Sequence, residues 1–206
     1  MNVQRGLITT RDEAKLRDMV EAQNGIITST QVTEAGIPRR CLTSMVQHGL
    51  LVRVARGVYT LPDTWEDELF ILQHQFSRGI FSHETALYLH AMTDRTPSRY
   101  TMTFPFGYNP KNVLKRGVIA KVVSEETYPL GITTLSSPSG NSIKAYDIER
   151  TLCDMVKTRH KGDVQVVNQA MRMYAGSREK DIARLMKYAE ALRVASKIRT
   201  FMEILL

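Results

Sequence analysis

The chain has little of what would announce an enzyme, a secreted protein or a membrane protein. Its 206 residues include two cysteines, Cys41 and Cys153. They stand far apart on the apolar faces of predicted helices, which fits buried free thiols in a reducing compartment rather than a bridge. No apolar run approaches the length of a membrane span, and the opening MNVQRGLITTRDEAK lacks the apolar segment of a signal peptide, so a cytoplasmic protein without membrane contact is expected. No phosphate-cradling GxxxxGK[ST] loop, no GxSxG elbow and no Glu-x-Lys pair beyond residue 62 occurs. The five histidines do not make a metal set. His83 and Glu84 begin like a zincin helix, but Leu87 stands where the second ligand belongs and His90 lies too far on, so both are read as structural. His48 and His160 fall near predicted helix C-termini, where a histidine is favoured by the partial charge. Nothing calls for a metal or a cofactor, and an enzyme is not expected. Internal repeats and low-complexity tracts are absent as well.

What is present is ordinary in amount and uneven in placement. Hydrophobic residues make up 43% of the chain and charged residues 24%, the composition of a globular protein able to bury a core. The formal charge is +7, which suits an anionic partner without specifying one. By segment the balance is +3 over residues 1–62, −4 over 63–92, +5 over 93–122 and +5 over 143–206. Positive charge is therefore concentrated in three separate places.

The most informative stretch is Ile37 to Pro62, IPRRCLTSMVQHGLLVRVARGVYTLP. Pro38 suits a first helical position and Gly49 a helix end. At about 100° per residue, Cys41, Leu42, Met45 and Val46 share one arc of a helix over Arg39–His48. Arg39, Arg40, Thr43, Ser44 and Gln47 share the other, and these residue types contact phosphates and base edges. Leu51–Val54 and Val58–Leu61 then read as a hairpin with a three-residue loop, Ala55-Arg56-Gly57, and Arg56 at its tip. Alternation puts Arg53 on the charged face, with Val52 and Val54 free to pack. A helix that reads, followed by a wing carrying Arg53 and Arg56, is the order of a winged helix-turn-helix.

The flanking residues supply its scaffold and a second body. Thr10 and Glu13 stand at capping-box spacing before a helix over Arg11–Gln23, and Thr28 and Gln31 repeat the spacing, with Ile27 and Val32 placed as a hydrophobic staple. A helix over Thr64–Arg78 opens with Glu66, Asp67 and Glu68, matching its own dipole, and Ser82 caps another over His83–Met92. From Tyr100 the period changes: Tyr100–Phe106, Val118–Val123, Gly131–Leu135 and Ile143–Ala145 read as strands. Helices are expected over Asp147–Thr158, Val164–Tyr174, Arg178–Leu192 and Val194–Leu205. Asp147, Glu149 and Asp154 spread around their helix and need no catalytic role. Lys111, Lys115, Arg116 and Lys121 form a second basic surface, either an edge whose charges discourage strand pairing or a binding face. The fold expected is α+β: a winged helix-turn-helix domain with a linking helix over residues 1–78, then over 79–206 a mixed α+β domain with a small sheet and a helical end.

The blocks IPRRCLTSMVQHGLLVRVARGVYTLP, FSHETALYLHAM and YDIERTLCDMV, in this order from about Thr10 onward, resemble the AbiEi family of antitoxins of type IV toxin–antitoxin and phage abortive-infection systems. The resemblance implies a winged helix-turn-helix that represses its own operon by binding double-stranded DNA at promoter inverted repeats. It also implies a C-terminal domain that counteracts a nucleotidyltransferase toxin from the same operon, with no direct contact required. Residues carried over as DNA-facing are Arg39, Arg40, Thr43, Ser44, Gln47, Arg53 and Arg56. Two copies on DNA are expected, from a monomer or a weak dimer. The alternative is an interaction module that binds an acidic protein, with DNA incidental.

Overall fold

The computed structural model describes residues 10–157 and 164–205. It is a mixed α+β protein that divides into two compact units, Met1–Gln75 with Ser136–Asn141, and Phe76–Leu135 with Ser142–Leu206. This differs from a single cut after residue 78 in giving residues 76–78 to the second unit and the short turn 136–141 to the first.

In the first unit the order is α1 (Thr10–Ala22), β1 (Ile26–Thr28), α2 (Ser29–Glu34), α3 (Arg40–Gln47), β2 (Val52–Ala55), β3 (Val58–Thr60) and α4 (Glu68–Gln75). The side chain of Thr10, expected to cap α1, lies outside the described residues, as do Thr158 and His160. The second capping box forms as the sequence predicts. Thr28 Oγ1 accepts from the Gln31 N–H at 3.3 Å, and Gln31 Oε1 accepts from the Thr28 N–H at 2.8 Å. Ile27 and Val32 are both fully buried in one core with Leu16, Val20, Cys41, Leu42 and Met45. At about 2 kcal/mol for each large side chain removed from water, this patch is what fixes α3 to α1. Ile26–Thr28 is also a strand, where the sequence predicts only a staple residue, Ile27, and a cap, Thr28. It pairs antiparallel with β3, Ile27 opposite Tyr59, so the sheet runs β1-β3-β2. Helix, strand, helix, helix and hairpin over a three-stranded sheet is the arrangement of a winged helix-turn-helix.

The acidic segment behaves differently from expectation. Helix α4 starts at Glu68 rather than Thr64, because Asp67 is its cap: its carboxylate accepts from the Phe70 N–H at 3.0 Å. Asp67 is buried and also accepts from Ser137 Oγ and from Asn141 Nδ2 at 2.8 Å, which ties the 136–141 turn into this unit. Ile71 of α4 packs with Ile26 and Val58.

The second unit contains β4 (Ile80–Phe81), α5 (His83–Leu89), β5 (Thr101–Pro105), α6 (Lys111–Lys115), β6 (Ile119–Val123), β7 (Ile132–Ser136), β8 (Ser142–Tyr146), α7 (Ile148–Lys157), α8 (Val164–Gly176), α9 (Ile182–Ala191) and α10 (Ala195–Leu205). The five strands run β6-β5-β4-β8-β7, with β5–β6 and β4–β8 parallel and β4–β5 antiparallel. The two-residue β4 was too short for a period to show. The basic loop contains a single helical turn, α6, and α9 begins at Ile182 rather than Arg178 because Asp181 caps it. Leu152, Cys153, Ala170, Met171, Leu185, Ala189 and Ile198 form the helical core.

Inside this core lies a charged network. Arg150 is completely buried; its Nε donates to Asp154 at 3.1 Å, its Nη1 to the carbonyls of Thr127 and Leu130, and its guanidinium lies 4.2 Å from the Tyr146 ring centroid. Gly131, at φ +77°, leaves room for it: a Cβ there would come within 2.7 Å of Arg150 Cβ.

Candidate nucleic-acid interface

Helix α3 sorts its polar residues into two groups. The backbone of Arg39 is already helical, at φ −56° and ψ −22°, so Arg39, Thr43 and Gln47 line up at four-residue spacing as an exposed stripe. Pro38 lies ahead of this turn rather than at the first helical position, and its carbonyl accepts from the Cys41 N–H at 2.9 Å. Arg39 Nε donates to Thr33 Oγ1 of α2 at 2.8 Å, which holds the side chain across the helix-turn-helix. The other two polar residues turn inward. Ser44 is half-buried and donates to Glu13 of α1 at 3.0 Å; Arg40 is half-buried, and its Nε is a buried donor with no hydrogen-bond partner among the described residues. Cys41 is a free thiol under the helix, and burial raises its pKa, with Asp12 and Glu13 adding to the effect.

The wing differs in detail from the expected hairpin. Ala55 pairs with Val58, so the loop is two residues, Arg56-Gly57, and the register shifts between Arg53 and Ala55. Gly57 takes φ +78°, and its carbonyl accepts from the Ser29 N–H at 2.8 Å, anchoring the wing tip to the start of α2. Arg53 and Arg56 are exposed. Val52 is 45% exposed, so the face opposite Arg53 does not pack at that end as alternation suggested. Five polar side chains, Arg39, Thr43, Gln47, Arg53 and Arg56, thus stand in solvent on two adjoining elements of one unit.

The second basic surface is looser. Lys111, Lys115 and Arg116 are exposed on and just after α6, whereas Lys121 is half-buried on β6 opposite Thr103. His83 and His90 have structural surroundings. His90 Nε2 lies 2.8 Å from the Tyr146 carbonyl, and His83 Nδ1 lies 3.0 Å from Ser82 Oγ, which accepts from Thr103. Burial, together with the nearby cations Lys121 and Arg150, pushes the His83 pKa down to about 3. The three carboxylates of the α7 region are engaged. Asp147 accepts from the Arg150 N–H at 2.8 Å and from Tyr188, Glu149 from Tyr174 at 3.1 Å, and Asp154 from Arg150. Sequence reasoning missed Arg150, although Arg150 and Asp154 stand at four-residue spacing on one face of α7.

The first unit thus has the element order of a winged helix-turn-helix, with an exposed polar stripe beside its wing. Residues 14–62 match the family model described as "Transcriptional regulator, AbiEi antitoxin". That segment includes α3 and the wing and ends at Pro62. No curated protein matches the sequence. Among solved structures, the chain is similar in fold to the RV2827C protein from Mycobacterium tuberculosis, at 13% identity and a TM-score of 0.50, over 96% of this chain and 83% of that one. Among the described residues no helix is long and apolar enough to cross a membrane.

Proposed function

We propose that the chain is a DNA-binding autorepressor that also acts as the antitoxin of a nucleotidyltransferase toxin encoded in the same operon, as in type IV abortive-infection systems. The observation that carries the DNA half is the exposed stripe Arg39, Thr43 and Gln47 on a helix whose opposite arc is buried. Thr43 and Gln47 have the groups to read base edges in a major groove, and Arg39 contacts a base or a phosphate. Arg53 and Arg56 on the wing take the flanking backbone. Ser44 is engaged by Glu13 of α1 and Arg40 keeps its Nε buried, so these two are left out of the DNA-facing set. One such domain gives a small interface, so two copies bind an inverted repeat with half-sites one helical turn, or a multiple, apart.

The division of labour follows the two units. The first places the protein on its promoter, and the second, built around the buried Arg150 network, carries the antitoxin activity without an enzymatic step.

A gel-shift titration against the chain's own upstream DNA tests the reading. Affinity falls steeply as salt rises, because arginine contacts displace counterions. Arg39→Ala or Gln47→Ala each weakens the specific complex by about 1–3 kcal/mol. If both variants bind as tightly as the parent, α3 is not the reading helix. If no sequence preference appears at any salt concentration, the interaction-module alternative replaces this one.

A further inference from the structure

The second unit has an open groove of about 670 Å³ along one end of its sheet. One wall is the end of β6 and the turn after it, Val122, Ser124 and Thr127; the other carries Lys157, Arg193 and Lys197. The DNA reading does not use it.

Three features make it a built site. First, β6 is the last strand of the sheet, and its outer edge is open among the described strands. The Ile119 N–H donates inward to the Tyr100 carbonyl at 2.8 Å, so by alternation the N–H and C=O of Ala120 and Val122 point away from the sheet. Second, the turn that forms the wall is held from below. The Tyr128 N–H donates to the Ser124 carbonyl at 2.9 Å, and buried Arg150 binds the carbonyls of Thr127 and Leu130. Third, Arg193 sits where glycine is the usual residue. It is the left-handed residue ending α9, at φ +61°, with its N–H on the Glu190 carbonyl and the Val194 N–H on the Ala189 carbonyl. An arginine in that conformation costs about 1 kcal/mol relative to glycine, and strain of this kind marks a side chain retained for use.

We infer that this groove binds an extended acidic segment of a partner protein, which adds as a strand to the edge of β6 while its carboxylates meet Lys157, Arg193 and Lys197. A strand, rather than a nucleic-acid backbone, uses the outward peptide groups of Ala120 and Val122 and the apolar side chain of Val122, which is 46% exposed. The cations, with Glu126 the one carboxylate among the described lining residues, give the edge its selectivity: a basic or neutral strand is repelled or unrewarded, an acidic one is drawn in.

The test is fluorescence anisotropy on the full chain, using a labelled peptide of alternating valine and glutamate, about ten residues long to match one strand. Saturable binding is expected, weakened about tenfold or more in the double variant Arg193→Glu with Lys197→Glu. Val122→Pro removes only an outward donor, a change an edge strand tolerates, and weakens binding to a similar degree, while Val122→Ile, which keeps both the donor and an apolar β-branched side chain, does not. In the unaltered chain, the amide resonances of Ala120 and Val122 shift and gain exchange protection on peptide addition, a readout independent of any variant. The inference is overturned if the peptide does not bind, if a lysine-for-glutamate version binds equally well, or if those amides are unaffected. Displacement of bound peptide by a single-stranded oligonucleotide in a chain carrying Arg39→Ala and Gln47→Ala overturns it in favour of a nucleic-acid groove.

Discussion

Helices α3 and α7 are both amphipathic and both carry charged residues, yet Arg39 at the start of the first stands in solvent while Arg150 of the second is buried. On α3 the buried arc is apolar, and Arg39 stands in water. On α7 the buried residues include Glu149, Arg150 and Asp154. Each of these three is engaged by a hydrogen bond, with Tyr146 stacked under the guanidinium. A charge left in solvent costs no desolvation and stays available to a ligand, whereas a buried charge is tolerable only when its partners are fixed. The first arrangement makes an interface; the second makes a scaffold. The contrast is between a cation left available to a ligand in the first unit and one built into the interior of the second.

The sharpest way to break the comparison is to remove a charge from the scaffold. Arg150→Ala strands Asp154 and the carbonyls of Thr127 and Leu130 in the interior, and about 3–5 kcal/mol of stability is lost, read as a lower urea midpoint. Arg39→Ala changes the same midpoint by less than about 0.5 kcal/mol, because an exposed arginine contributes little to folding.

A pH-dependent effect comes from His83. Its folded pKa, about 3, lies below the ordinary value of 6.5, so it favours the folded state fully above about pH 6.5 and progressively less as pH falls toward 3. Over that window the parent loses up to about 1.4 kcal/mol per pH unit more than His83→Gln does. Asp147 acts in the opposite sense, since burial raises its pKa and its share is lost as pH rises through that value. The difference between parent and variant therefore isolates the histidine. Thr28→Ala removes one side of the capping box and costs about 1 kcal/mol, again by urea unfolding.

The same contrast explains what the sequence revealed. Helix α3 was legible because an apolar arc and a polar arc alternate with the period of a helix, and the Thr28–Gln31 box because capping is local chemistry. Strand β1 was hidden by its length: three residues carry no period, and their partner β3 lies some thirty residues on in sequence. The placement of Arg150 was hidden by the rule that charges lie outside, which its carbonyl partners override. The stripe was further narrowed by what no wheel diagram shows, namely that Glu13 of α1 reaches Ser44. Lys157, Arg193 and Lys197 are scattered along the helical end and come together only at the α9–α10 corner.

The central claim is that reading DNA and counteracting the toxin belong to different units, and one experiment addresses it with the full chain. The double variant Arg39→Ala with Gln47→Ala is expressed beside the operon's toxin, and promoter repression and cell survival are scored in the same cells. Repression is lost, by about 10²-fold in operator affinity if the two losses add, while survival is unchanged. Repression that persists, or survival that falls together with it although the variant unfolds at the parent's urea midpoint, contradicts the account.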